Sequence, residues 1–403
     1  MSRARATTPA APPVVVADER DWNPSTKAGW FAMADAAGRS RPPARSTEQI
    51  AALPRIERRR YDEARALWHA NLGPIHTPQL AAVFDELDEI VGSNRQDGDK
   101  VKPAAVLDAL PGLGKTTAAM AFGRAFHRDQ IDLYGPLVET GDGAWQRIPV
   151  VYLGLTSNTT MRSLNAMLCR FFGLPGADRG NADLLAHRAA ECVAQCKNRL
   201  IIVDDVHFLD VNRRDGREVA NHFKWLANTF PVTFLFVGVG LRARGLLDEG
   251  LFGSDAAFSQ TARRWNVLAL QPFEIRTAPG RRIWRQLLLG IERDLVLANT
   301  HRGMVATDLA AYLFARSSGH FASLMSLISR GCYRAIKTGT EALSVELLDA
   351  VRIDEAAETA RGELHAALDA GLLSTHARPH ATRTRTTNQP RPGNRPCEQE
   401  GAA

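Results

Sequence analysis

The sequence lacks a long apolar segment, a cysteine framework and a strong excess of charge of either sign. No apolar run approaches the roughly 18 residues of a membrane-spanning helix, so no membrane span is predicted. The five cysteines are odd in number and show no zinc-ligand spacing, which favours buried thiols in a reducing, cytoplasmic compartment. The net charge of +6 on 403 residues permits a nucleic-acid partner without requiring one.

The two ends of the chain have compositions typical of disorder. Residues 1–45 are rich in Ala, Arg, Pro and Ser without lasting periodicity, so a disordered arm is predicted there. Residues 361–403 are predicted to be the end of a helix followed by a basic, disordered tail. From His376 the tail holds five arginines against two acids. Most such tails are simply solvated, although this one could also add weak affinity for DNA.

The residues between these ends carry the patterns of folded structure. Residues 46–100 are predicted to form an N-terminal helical segment, in which Thr77 and Pro78 begin a helix of clear apolar periodicity. Residues 101–275 contain five apolar runs separated by amphipathic stretches, a pattern typical of a parallel sheet with helices on both faces. The runs are AAVLDAL (104–110), IPVVYLGL (148–155), RLIIVDD (199–205), VTFLFVGV (232–239) and WNVLALQPF (265–273). Residues 276–360 show helical patterns alone, so we predict an α/β core followed by a helical lid.

A phosphate-binding loop is predicted between the first strand and the following helix, within LDALPGLGKTTAAM. The usual pattern is G-x-x-x-x-G-K-[ST], and here Ala109 replaces its first glycine. Lys115 is expected to reach the β- and γ-phosphates, and the Thr116 hydroxyl to ligate Mg²⁺. The alternative is a chance Gly-Lys-Thr at a helix start. The predicted ATP-binding residues are Pro111, Gly112, Leu113, Gly114, Lys115, Thr116 and Thr117.

Two acids end the strand RLIIVDD and predict the other half of an ATP site. Asp204 is expected to hold the Mg²⁺ shell, and Asp205 to act as the base that orients the attacking water. Asp205 stands where many ATPases carry the longer glutamate, so slower hydrolysis is expected. The alternative is an acidic strand end without a catalytic role. His207, close by, is expected to pack or to form hydrogen bonds instead of taking part in catalysis.

The P-loop, the IIVDDVHFL strand and the helical lid resemble the AAA+ ATPases. More narrowly, residues 55–350 resemble the TniB/TnsC type, the ATP-dependent regulators of transposons that carry a DDE transposase. The matching stretches include RRRYDEARALWHANLGPIHTPQLAAVFDEL, LANTFPVTFLFVGVG, QTARRWNVLALQPF and SSGHFASLMSLISRGCYRAI. The resemblance implies a P-loop AAA+ core with a five-stranded parallel sheet, with ATP and Mg²⁺ as cofactors. The implied partners are double-stranded DNA, a DDE transposase and further copies of the chain in a ring or helical filament, with no membrane.

The resemblance also assigns residues that spacing does not. Arg264, or alternatively Arg263, matches the arginine finger that reaches the γ-phosphate of a neighbouring subunit, although an arginine that satisfies helix-end carbonyls is the other interpretation. The chain departs from the family at Leu241, where a threonine is common. It departs again at Ala322 and Ser323, where many lids place a sensor arginine. These departures, with Asp205, predict a weak ATPase suited to a switch.

DNA contact is predicted for a basic stretch after the acidic strand. Cations at the start of a helix oppose its dipole, whereas a phosphate backbone would suit them. The alternative is a solvated loop partly neutralised by Asp215 and Glu218. The predicted DNA-binding residues are Arg213, Arg214, Arg217 and Lys224.

Three functions follow from these patterns. The leading one is an ATPase that assembles on target DNA when ATP is bound, recruits or activates a transposase, and disassembles after hydrolysis to ADP and phosphate. The second is a nucleotide-gated scaffold with negligible turnover. The third is a signalling or defence ATPase of the same superfamily, whose lid and tail contact protein in place of DNA.

Overall fold

The computed structural model describes residues 22–95, 102–141, 143–157, 159–208, 219, 222–223, 225–226, 232–241 and 265–370. Within these ranges no helix is both long and apolar enough to cross a membrane.

A five-stranded parallel sheet forms the centre of the molecule. Each of the five predicted apolar runs contains one of its strands, and the strand order is β4-β5-β6-β1-β7. A separate antiparallel hairpin, β2 and β3, was not predicted, because its residues are mostly exposed and carry no apolar run. The strands are β1 (Ala104–Ala109), β2 (Leu137–Thr140), β3 (Gly143–Gln146), β4 (Val150–Gly154), β5 (Leu200–Asp204), β6 (Thr233–Gly238) and β7 (Trp265–Leu270).

Helices cover the sheet and continue into the lid. Thr77 caps α4 as predicted, accepting a hydrogen bond from the Leu80 amide while Pro78 occupies the first turn. The helices are α1 (Lys27–Ala34), α2 (Thr47–Ala51), α3 (Arg55–Ala70), α4 (Pro78–Ser93), α5 (Lys115–Tyr134), α6 (Met161–Phe171), α7 (Ala182–Gln195), α8 (Ala278–Asp294), α9 (Ala310–Ser317), α10 (Phe321–Thr338), α11 (Val345–Asp349) and α12 (Glu355–Asp369).

The sheet is buried because its strands are apolar on both faces. Every residue of β5 and β6 is buried, including the aromatic pair Phe234 and Phe236, which stack with ring centroids 5.6 Å apart. Continuous apolar strands of this kind need cover on both sides, which the helices provide. The predicted fold class, a parallel five-stranded sheet flanked by helices with a C-terminal helical region, is confirmed.

The prediction of a disordered arm over residues 1–45 is wrong for α1. Trp30 on this helix is fully buried, and its indole Nε1 donates a hydrogen bond to His127 Nδ1 at 3.1 Å. Thr26 caps the helix by accepting from the Gly29 amide. An eight-residue helix is too short to show periodicity, so one buried tryptophan in an Ala- and Arg-rich composition left no clear signal.

A second core holds the lid helices around Trp284, whose ring nitrogen donates to the Ala310 carbonyl oxygen. Helix α3 joins this core through Arg65, which is buried and paired with Glu341 at 2.6 Å. The predicted N-terminal segment is therefore divided, with α3 on the lid and α4 on the sheet. Near the end of the region predicted to be helical, 276–360, the chain leaves the helical conformation between α11, which ends at Asp349, and α12, which begins at Glu355.

Candidate functional site

The loop between β1 and α5 has the backbone of an anion-binding turn. Gly112 and Gly114 lie in the left-handed region, with φ of 74° and 84°, where glycine is favoured. No side chain caps α5, so its first amide groups and the positive end of its dipole are open to an anion. Ala109 is the last residue of β1 and pairs with Leu270, so its extended backbone does not need the missing glycine.

Lys115 lies buried inside this loop, with its ammonium Nζ donating to the Leu110 carbonyl oxygen at 2.8 Å. Burial lowers the pKa of Lys115, whereas the nearby charges of Asp204, Asp108 and Asp205 act in the opposite direction. The lysine is thus held among acids at the carboxyl ends of the strands. A phosphate placed over the loop could replace the carbonyl as its partner. The hydroxyl-bearing Thr116 and Thr117 follow at exposed positions in the first turn of α5.

Asp204 is oriented by its neighbours in the sheet. It is 2% exposed, and its two carboxylate oxygens accept hydrogen bonds from the Tyr152 hydroxyl at 2.9 Å and from the Asp205 amide at 2.8 Å. Burial, reinforced by the Asp204 charge, raises the pKa of Tyr152 and keeps it a donor. Tyr152 was not predicted as a site residue from the sequence. Its signal was a tyrosine near the end of the neighbouring apolar run, but identifying it required the register that pairs Gly154 with Asp204.

Asp205 is the more open of the two acids, with its side chain 47% exposed. Its backbone has φ of 60°, a left-handed conformation that aspartate and asparagine adopt more readily than most residues. Burial and the Asp204 charge raise the pKa of Asp205. His207 lies nearby, with Nδ1 3.9 Å from Asp205 Oδ1, and its ring packs against Phe208. The structure therefore brings Lys115, Asp204 and Asp205 together with different exposures.

A second residue missed by the sequence analysis is Asp108, near the end of β1. Its Oδ1 accepts a hydrogen bond from the Leu241 amide at 3.0 Å, which ties the turn after β6 to the start of the P-loop. The Leu241 side chain is buried against Gly238, so it presents no polar group to a phosphate. Leu241, at the position where the resemblance would place a threonine, is therefore a packing residue.

The lid touches the P-loop directly. The Ala322 amide at the start of α10 donates to the Gly112 carbonyl oxygen at 2.9 Å. A Cβ added at Gly114 would lie 3.5 Å from the Phe321 ring, so the loop and the helix are in close contact. Ser323 is buried beside them. The position where many lids carry a sensor arginine is occupied by small residues that dock on the loop.

An apolar pocket lies between the P-loop, the turn before α4 and the lid. Its cavity volume is about 50 Å³, and it opens to solvent on one side. Gln79 crosses its edge by donating to the Gln271 carbonyl oxygen at 3.3 Å. The apolar lining of the pocket consists of Pro74, Ile75, Leu80, Leu113, Leu270, Phe273 and Phe321.

Residues 99–247 match the family described as an AAA domain. Its structure resembles that of the Orc1 protein of Aeropyrum pernix, solved in complex with DNA, at 17% identity and a TM-score of 0.51, over 76% of this chain and 71% of that one. It also resembles Cdc6p of Pyrobaculum aerophilum, at 15% identity and a TM-score of 0.49 over 69% and 68% of the two chains.

A further resemblance is to the Drosophila ORC bound to DNA, at 14% identity and a TM-score of 0.47 over 84% of this chain and 72% of that one. No curated protein matches the sequence. At 17% identity, the likeness to the Aeropyrum pernix Orc1 structure supports the AAA+ P-loop fold alone.

The metal prediction concerns Thr116 and Asp204. Within the described residues no group of three or more His, Cys, Asp or Glu forms a metal cage. Mg²⁺ in phosphate-transfer sites is usually held by one or two protein oxygens together with phosphates and water. One hydroxyl and one carboxylate beside a phosphate loop fit that donor set.

Several predicted residues lie outside the described part of the chain. They are the finger candidates Arg263 and Arg264 and the DNA-contact candidates Arg213, Arg214, Arg217 and Lys224. Their roles stay predictions.

Proposed function

We propose that this protein is an AAA+ ATPase that assembles on double-stranded DNA when ATP is bound and recruits or activates a transposase. The observation that carries the ATP part is Lys115, buried in a glycine-shaped loop among Asp108, Asp204 and Asp205. A lysine for phosphate and acids for a metal are the two halves of a phosphoryl-transfer site.

Each residue has a defined task in this reaction. Lys115 and the first amides of α5 bind the β- and γ-phosphates, while the Thr116 hydroxyl and Asp204 would hold Mg²⁺, which neutralises phosphate charge. Asp205 orients a water molecule for attack on the γ-phosphorus and accepts its proton. The bond from the γ-phosphorus to the β–γ bridging oxygen breaks, which releases ADP and phosphate. Tyr152 is a positioning residue, since it acts through Asp204.

The contact between the lid and the P-loop could couple ATP binding to self-assembly. The lid helix α10 begins on the P-loop, through the hydrogen bond from Ala322 to Gly112 and the contact of Phe321 with Gly114. ATP bound in the P-loop and the adjoining apolar pocket would change the surface that the lid contacts. We propose that this contact sets the lid orientation that a neighbouring subunit recognises, with Arg264 of that neighbour completing the site.

The DNA and transposase parts rest on two kinds of support. The Aeropyrum pernix Orc1 protein, which has the same fold, was solved in complex with DNA. The stretches quoted above resemble the TniB/TnsC regulators of transposition. DNA is therefore the proposed surface for assembly, and a DDE transposase the proposed client.

ATP-dependent assembly is the direct test. The full chain is imaged by electron microscopy with duplex DNA and a slowly hydrolysed ATP analogue, next to Lys115→Ala under the same conditions. Wild-type protein should form rings or filaments on DNA only with the analogue, and the variant should form none. If Lys115→Ala assembles as well as wild type, ATP is not the switch and the proposal is wrong. Association with the transposase would then be measured on the assembled wild-type complex.

A nucleotide-gated scaffold is the second candidate. It is favoured by the buried Leu241, by Ala322 at the sensor position and by the short Asp205. Phosphate release measured with and without DNA separates the two candidates. If the protein is an ATPase, we expect multiple turnovers and a rate of phosphate release that DNA changes. If it is a scaffold, we expect ATP-dependent assembly with no phosphate release above background.

A further inference from the structure

A basic cleft lies at the amino ends of the central strands, on the edge of the sheet opposite the P-loop. Its cavity volume is about 520 Å³, and no carboxylate is among its described lining residues. We call it the amino-edge cleft. Its cations are Arg95, Lys102, Arg147, Lys197 and Arg199.

The parallel sheet brings cations from distant parts of the sequence together. Lys102 lies just before β1, Arg199 just before β5 and Arg147 just before β4. The strand order β4-β5-β6-β1 places these positions along one edge. With neighbouring strands about 4.8 Å apart, the row from β4 to β1 spans about 14 Å.

Helix ends explain one of these cations. Arg147 donates through Nε to the Gly135 carbonyl oxygen at 2.8 Å and through a second nitrogen to the Tyr134 carbonyl oxygen, so it caps the end of α5. Its guanidinium also lies over the Tyr134 ring, 5.3 Å from the centroid. A structural role therefore accounts for Arg147.

Among the described contacts the side chains of the other four cations cap no helix by hydrogen bonds, although Arg95 and Lys197 follow the ends of α4 and α7, where the helix dipole favours a cation. Across the part of the chain that the structure describes, no hydrogen bond or ion pair reaches the side chains of Lys102 and Arg199, or those of Arg95 and Lys197. Burial lowers the pKa of Arg199, and Arg95 lowers it further; burial and Arg199 do the same for Lys102. Half-buried like charges that repel each other weaken the fold unless an anion joins them.

We propose that the amino-edge cleft binds the phosphate backbone of DNA. Each strand of duplex DNA carries about one phosphate per 3.4 Å of axis, so the roughly 10 Å between Arg199 before β5 and Lys102 before β1 spans about three phosphates of one strand. Arginine forks and lysine ammoniums both serve as phosphate ligands. A row of cations matches a repeating backbone better than it matches an acidic peptide, whose carboxylates would need a matching sequence.

The proposed DNA site rests on the proposed function, in which DNA is the partner. It lies at the amino ends of the strands, whereas the nucleotide site lies at their carboxyl ends. It is also separate from the basic stretch predicted from the sequence.

Binding of a labelled duplex is measured by fluorescence anisotropy over a series of KCl concentrations, for the full chain without nucleotide and with a slowly hydrolysed ATP analogue. The cleft variant removes three of the four cations whose side chains make no described hydrogen bond, and keeps the partly buried Arg199: Arg95→Gln, Lys102→Gln and Lys197→Gln.

A charge-matched control removes three exposed lid arginines far along the chain from the cleft: Arg282→Gln, Arg285→Gln and Arg302→Gln. The cleft variant should bind DNA about tenfold or more weakly at low salt, and its slope of log K against log [KCl] should be shallower by about 2 to 3, since each lost phosphate contact removes about 0.9. The control should keep the wild-type slope within about one. Both variants should bind a fluorescent ATP analogue like wild type, which shows that they are folded.

The outcomes separate the two proposals. If the cleft variant binds DNA like wild type, or no more weakly than the control, the cleft is not a DNA site and the inference is wrong. If the cleft variant binds DNA normally but loses affinity for labelled polyglutamate, the cleft serves acidic peptides and the inference is again wrong. ATP-dependent assembly of wild-type protein is judged separately, from its binding with and without the analogue.

Discussion

The two edges of the central sheet carry opposite kinds of charge arrangement. At the carboxyl edge Lys115 is surrounded by Asp108, Asp204 and Asp205. At the amino edge the described lining of the cleft includes cations and no carboxylate. Among the described residues, the charge of the lysine at the first edge is thus balanced by aspartates, whereas the cations at the second edge would be balanced by the proposed DNA contact.

Two lysines show the difference most clearly. Burial is the largest influence on both, and it lowers the pKa of Lys115 and of Lys102. For Lys115 the next influences are three aspartates that favour the charged form, whereas for Lys102 the next is Arg199, which disfavours it. A mixed-charge edge suits a phosphate that arrives with a metal ion, and a purely cationic edge suits phosphates alone.

The largest expected effect is on turnover at the carboxyl edge. Asp205→Asn should lower the rate of ATP hydrolysis by about 10² to 10⁴, the usual contribution of a general base. Asparagine tolerates the left-handed backbone at this position as aspartate does, so the variant should fold and bind ATP normally. The rate is measured by phosphate release, and ATP affinity by titration of a fluorescent analogue.

The pH dependence of wild-type turnover tests the same residue. Because the pKa of Asp205 is raised, its carboxylate form is lost at a higher pH than for an ordinary aspartate. Hydrolysis should therefore fall as pH decreases through that raised value, and the residual activity of Asp205→Asn should not show this acid limb. An identical pH profile in both proteins would assign the base to another group.

The next effect in size concerns the two lysines. Lys115→Ala should weaken ATP binding by about 100-fold, equivalent to about 2.7 kcal/mol, within the range for a hydrogen bond to a charged group. Lys102→Ala removes the same charge from the other edge and should leave ATP affinity unchanged. Calorimetric titration of both variants makes the comparison. Equal losses would mean that net charge, and not the P-loop geometry, governs nucleotide binding.

The sequence was sufficient for features that depend on local pattern. The five strands follow from apolar runs, the P-loop from its lysine and threonine between a strand and a helix, and the acids from their position at a strand end. The role of Tyr152 could not be predicted from the sequence because it depends on the register between β4 and β5. The role of Asp108 could not be predicted from the sequence either, because its partner, the Leu241 amide, is separated from it by 133 residues along the chain.

The amino-edge cleft shows the same limit on a larger scale. Lys102 and Arg199 are isolated cations in the sequence, and only the strand order of the sheet makes them neighbours. The buried α1 was missed for a related reason, since the place of Trp30 is set by His127 on another helix. Periodicity predicts elements well, but contacts between elements need the topology.

A smaller effect is expected from Tyr152→Phe. The variant removes the hydroxyl that donates to Asp204 and leaves the ring in place. Loss of one hydrogen bond to a charged group, about 1.5 kcal/mol, should lower turnover by about tenfold. A positioning role also predicts that the Mg²⁺ concentration for half-maximal activity rises, while ATP affinity without Mg²⁺ stays unchanged. A uniform loss of stability without the Mg²⁺ shift would indicate packing alone.

The smallest expected effect is on stability, and it has opposite signs at two lysines. Lys102→Gln removes a cation repelled by Arg199, so it should stabilise the nucleotide-free protein by a few tenths of a kcal/mol, with the gain fading as salt screens the charges. Lys337→Gln removes a cation from the last turn of α10, where the helix dipole favours it, and should destabilise by about 0.3 kcal/mol or more. Urea unfolding at low and high salt measures both. If the two variants shift the midpoint in the same direction, Lys102 is already balanced within the protein, and the contrast between the two edges of the sheet is lost.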